Sequence, residues 1–150
     1  MKNQLVTSLL TVLVRDLKKL EAEILLYPSE ESIWKIEKDI KNPAGTLCLH
    51  LCGNLQHYIG SVLGKTAYKR NRDNEFASRN VPRESLLTEI TQSINAIEAT
   101  LPLLTEEQLL STYPVKVFDN PTSTLFFLVH LSAHLSYHLG QVNYHRRLVA

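Results

Sequence analysis

The sequence predicts an all-α fold, a four-helix bundle with a crossover connection, and three observations carry that expectation. Four long segments repeat their apolar residues every three to four positions, while no stretch alternates convincingly with a period of two. Each is about 20–27 residues long, roughly 30–40 Å at 1.5 Å per residue, which are bundle proportions. One of the connections is far longer than neighbouring helices require, and this leaves room for a crossover.

The first segment, about residues 2–27, places Leu5, Leu9, Leu13, Leu17, Leu20 and Ile24 at three- and four-residue steps, and Tyr27-Pro28-Ser29 ends it. Residues 29–43 form a connector in which Trp34 and Ile36 are the expected anchors, closed by Asn42-Pro43. A second helix covers about 44–63 and stops at Gly64. The charged stretch 65–81 has no periodicity and reads as a long loop of the kind that is usually functional or disordered. Pro82 suits a first helical turn and opens a third helix to about residue 101, with Leu86, Ile90, Ile94 and Ile97 as its apolar stripe. Residues 102–121 hold a short helical piece at 106–110 and an extended piece at 113–117. After Asn120-Pro121 a fourth helix occupies about 122–148.

Composition narrows the possibilities. The 150 residues amount to one domain, 1–150, with 16 Lys plus Arg against 15 Asp plus Glu. A formal charge of +1 offers no basic excess for a nucleic-acid partner. No apolar run approaches the roughly 20 residues that span a bilayer, and Arg15-Asp16 interrupts the early leucine run before it resembles a secretory leader. Cys48 and Cys52 lie four apart on one expected helix, a poor placement for a disulfide, so a reducing cytoplasm is expected. No Walker loop, dinucleotide fingerprint or serine nucleophile elbow is present.

Six histidines stand out. On a wheel of about 100° per residue with His134 at zero, His130 falls near −40°, His138 near +40° and His145 near +20°. Four imidazoles thus share one sector with Phe127 and Gln141, while Ser132, Ser136 and Asn143 lie on the more polar side. Buried imidazoles each need partners, so such a cluster costs stability without a task. Residues eight apart are separated by roughly 12 Å along a helix, so a single ion can take 130/134 or 134/138 but not all three. The absence of a Glu between His134 and His138 rejects the H-E-x-x-H protease reading. A further ligand must come from another helix, and His50 and His57 share a face of the second, with both cysteines on its far side. Three imidazoles leave coordination positions open, as catalytic sites do, and suit zinc, nickel, copper or iron. The competing explanation is hydrogen-bonded core histidines, and His130 and His145 fit it best.

The segment His134-x3-His138-x-Gly140-Gln141 resembles the last-helix signature of the DinB-like (YfiT-like) superfamily of metalloenzymes. His50-Leu-Cys-Gly53-Asn54, followed by Arg70-Asn71-Arg72-Asp73-Asn74-Glu75-Phe76, is similar to a bacterial branch pairing HxxGN with RNRDxEF, and the likeness spans nearly the whole chain. The resemblance implies a crossover bundle, often a homodimer, holding a divalent metal, zinc or nickel foremost, through His50, His134 and His138. Relatives often carry a more polar residue where Leu135 stands. Asn54, His57, Arg70, Arg72, Tyr137 and Gln141 are the expected supporting or substrate-binding residues. Arg70, Arg72, Asp73 and Glu75 either pin the loop to the bundle or bind an anionic substrate group, the first being favoured. Some superfamily members transfer low-molecular-weight thiols, so the resemblance implies a thiol S-transferase, with a thiol cofactor, or a hydrolase, acting on a small molecule. The alternatives are a metal- or ligand-binding bundle without turnover and a bundle acting through dimer contacts.

Overall fold

The computed structural model describes residues 3–150, so Met1 and Lys2, where the first helix was expected to begin, lie outside the described residues. Those described form an all-α bundle whose long helices are α1 (Gln4–Leu26), α3 (Ala44–Leu55, continued by a π-helical stretch Gln56–Ser61), α5 (Arg83–Thr100) and α7 (Thr124–Val149). Three short helices decorate the connections: α2 (Glu30–Ile33), α4 (Arg72–Ala77) and α6 (Glu106–Leu110). None of the described helices is long and apolar enough to cross a membrane.

Local chemistry explains the ends. The Asn3 side chain accepts the Leu5 N–H at 2.9 Å to start α1, and Ser123 Oγ accepts the Phe126 N–H at 3.0 Å to start α7. Thr105 and Gln108 form a reciprocal capping box on α6. The α1 stripe of Leu13, Leu17, Leu20 and Ile24 is fully buried, each side chain contributing about 1.5–3 kcal/mol by leaving water.

The chain order around the bundle is α1, α5, α3, α7, for α1 packs on α5 and α7, and α3 packs on the same two. Gly64 at the end of α3 lies against Thr100 at the end of α5, and Trp34 Nε1, just before α3, donates to Val81 O just before α5 at 3.2 Å. Hence α3 and α5 run parallel, and the 65–81 segment must return along the length of α3. It does so in order: Thr66 N–H bonds Gly60 O at 3.1 Å, Arg70 and Glu75 reach His50, and Arg79 bonds Thr46 Oγ1 at 3.2 Å. The long second connection is the crossover, as its length predicted.

Four expectations need correction. The segment 65–81 is not loop throughout, because Arg72–Ala77 folds into α4, with the Asn71 side chain accepting the Asn74 N–H at 3.1 Å. Trp34 is buried beneath α3, with a Cβ on Gly45 reaching within 2.5 Å of its indole, but Ile36 is 50% exposed and anchors nothing. Residues 113–117 form no strand; Thr112 and Ser123 make an isolated bridge beside them, and Val115 and Val117 stay in solvent. Pro82 caps α5 from outside rather than occupying its first turn.

Candidate metal centre

Antiparallel α3 and α7 meet along a seam, and three imidazoles face one another across it. His50 projects from the second turn of α3, and His134 and His138 lie one turn apart on α7. His50 Nε2 is 3.2 Å from His134 Nε2, and one ligand atom from each of the three residues lies within 4.8 Å of the others. Nitrogens bound tetrahedrally at about 2.0–2.1 Å stand roughly 3.3 Å apart, so the triad fits one small divalent ion. The i, i+4 alternative with His130 is not used, since that ring stacks with Phe127 and sits edge-on to Phe118 at 4.9 Å.

Each ring is differently supported. His138 Nδ1 lies 2.7 Å from Gln141 Oε1; because an amide oxygen only accepts, Nδ1 carries the hydrogen and Nε2 keeps its lone pair. His50 Nδ1 lies 3.3 Å from Glu75 Oε1 and 3.4 Å from Arg70 Nη2. Arg70 already grips Glu75 with two donors, Nε to Oε2 at 2.9 Å and Nη2 to Oε1 at 3.0 Å, so the carboxylate is the partner that matters for the ring. Nδ1–H donating to it frees Nε2 for a metal, the carboxylate–histidine arrangement that orients metal ligands. His134 Nδ1 is buried with no hydrogen-bond partner, so the ring's one polar contact is that of its Nε2 with His50.

Electrostatics keep the donors available. Burial, then the neighbouring His138, His50 and His130 rings, pushes His134 down to about 4. Burial also lowers His138, against the opposing Gln141 bond. Burial alone would raise Glu75, but its bonds to His50 and Arg70 outweigh that and hold it below the usual carboxylate range. Two neutral imidazoles and an ionised acid therefore coexist at neutral pH.

Glu75 reaches the seam because Gly53 lacks a side chain: a Cβ there would stand 1.9 Å from Glu75 Oε2. Phe76 covers His50 at 4.9 Å between ring centroids, and Arg72 lies over the outer face of Phe76 at 5.0 Å. Arg72 is thus exposed and packs on the cover of the site, away from the imidazoles. Asn54 is buried one turn beyond His50, its Oδ1 without a partner. His57 turns to Tyr58, centroids 4.8 Å apart, and joins no ligand group. Tyr137 is 66% exposed beside His138. His145, buried, accepts from Tyr27 Oη on Nδ1 at 2.6 Å and donates from Nε2 to Lys35 O at 2.8 Å, which makes it a strut between α1, the connector and α7. The histidine sector sits at the margin of the buried face: Leu131, Leu135 and Val142 are buried, whereas His130, His134 and His138 are half-buried. Cys48 and Cys52 are buried free thiols outside the triad, and the hydrogen bond with Cys52, then burial, raises the Cys48 thiol.

The residue that sequence reasoning undervalued is Glu75. Its charge and its neighbours in the loop were visible, but its approach through Gly53 depends on how the crossover lies over α3.

Fold and site define an all-α protein with a three-histidine group that could hold a metal ion. The chain belongs to the family described as protein of unknown function (DUF1572), which matches residues 3–150. No curated protein and no solved structure matches it significantly.

Proposed function

We propose that this chain is a divalent-metal-dependent enzyme of the DinB/YfiT-like type, with His50, His134 and His138 as ligands, zinc or nickel as the metal, and a thiol transfer or a hydrolysis as the reaction. The observation that carries it is the convergence of three imidazoles, two with their Nδ1 atoms engaged by Glu75 and Gln141, on a spacing suited to one ion. A divalent cation held there supplies charge that lowers the pKa of a coordinated thiol or water toward neutrality. The protein supplies the rest. Glu75 and Arg70 fix the His50 ring, Gln141 fixes His138, and Phe76 shields the α3 side from water. Three protein ligands leave room for a substrate atom, which a closed four-ligand structural site would not. A homodimer and a cytoplasmic setting belong to the same reading.

One observation favours a metal-free alternative: 3.2 Å is also the length of an N–H···N bond from His134 to His50. Elemental analysis of untagged protein decides between them. Stoichiometric metal that disappears in both His134→Ala and His138→Ala supports the ligand set; metal persisting in both defeats it. Conjugation of an electrophile across a panel of cellular thiols, with and without chelator, then tests transfer. Indifference to every thiol removes that reaction and leaves hydrolysis.

A further inference from the structure

A cavity of about 720 Å³ lies between the connector at residues 39–42 and the last turns of α7, and His138 forms part of its wall. Its size falls within the roughly 300–1,000 Å³ of small-molecule sites. Ile40 and Leu47 form one side; Tyr137, Tyr144 and Leu148 form the other. Those last three are 66%, 72% and 50% exposed, a concentration of large apolar surface beside a polar group of the kind that marks a binding site. Gln141 also lines the cavity while bonding His138, so the cavity and the candidate metal centre share the His138 ring as a common wall. The charged lining residues, Asp39 and Lys41, are opposite in sign and two positions apart, so the cavity's own side chains contribute no net charge at that end.

We infer that this cavity receives the apolar part of the substrate, and that its ligand is a small molecule joining an uncharged aromatic or branched aliphatic group to a metal-seeking head. The apolar group sits between Leu47 and the Tyr144–Leu148 wall, and the head lies at His138. The inference rests on the proposed metal function for the head group only; the apolar site stands on its walls.

Two titrations by calorimetry test it separately from that function. Zinc-loaded protein titrated with benzyl mercaptan and with 2-mercaptoethanol is expected to bind the aromatic thiol at least about tenfold more tightly. Leu148→Trp, which fills the cavity from a half-exposed position, is expected to erase that preference while zinc content and helical circular dichroism stay unchanged. Tyr144→Ala is a second variant at an exposed wall position and is expected to weaken the preference. Metal-free protein titrated with benzyl alcohol reads the apolar site alone: binding in the parent and loss in Leu148→Trp are expected even if zinc proves not to bind. Equal affinity for the two thiols, a preference surviving Leu148→Trp, or no benzyl alcohol binding by the parent overturns the inference. So does a dimer that Leu148→Trp splits while benzyl alcohol still binds, since a second copy of the chain would then own this face.

Discussion

Gly53 and Glu75 show how a missing methyl can be as specific as a side chain. Alanine is normally preferred over glycine inside a helix by about 1 kcal/mol. At Gly53 the sign reverses, because the new Cβ would collide with Glu75 Oε2 and displace a buried acid from His50 and Arg70. Gly53→Ala is therefore expected to lower Tm, and the loss to shrink when Glu75 is also replaced by Ala, as a thermal-denaturation double-mutant cycle would show. Glu75→Gln keeps the shape and removes the charge. Its expected effect is a 10–100-fold weaker metal affinity in a chelator competition, the usual scale for an outer partner of a ligand histidine. His145→Leu is the control: it cuts the Tyr27 and Lys35 bonds, so Tm falls while metal stoichiometry holds.

Between elements, α1 and α7 are tied by polar groups as well as by packing. Glu23 accepts from Arg146 Nε at 2.6 Å and from Asn143 Nδ2 at 2.7 Å. Burial alone would raise the Glu23 carboxyl, yet those bonds hold it below its ordinary value of 4.5. A depressed folded-state pKa means the unfolded chain binds the proton first as pH falls, so this stabilisation is present above about pH 4.5 and fades below it. Glu23→Gln is expected to lower Tm near neutrality and to converge with the parent in acid, read from melts between pH 3 and 7. The long helices were legible because leucine and isoleucine spacing reports the buried face directly. α4 was not: its six residues, RDNEFA, are mostly polar, and it is held by the Asn71 cap and by Phe76 on His50. Ile36 misled for the opposite reason, an apolar residue left in solvent between Lys35 and Glu37. The His134–His138 pair was readable from its four-residue step; Glu75 needed the crossover's path, which no local pattern encodes.

At the scale of the molecule, binding an ion at the seam of α3 and α7 adds its free energy to folding. Free metal at about 100 times Kd corresponds to roughly 2.7 kcal/mol. Adding zinc to stripped protein is thus expected to raise Tm and a chelator to reverse it, with the shift absent in His134→Ala. An unchanged melt across that titration would contradict a site linking the two helices.

The order in which the chain leaves the ribosome gives the crossover one more consequence. His50 emerges first, its acidic partner follows 25 positions later, and His134 lies 84 positions beyond His50. A nascent chain holding only the first half of the bundle contains one of the three rings and cannot close around an ion. Capture of a cation by all three rings would accordingly have to wait for the last helix.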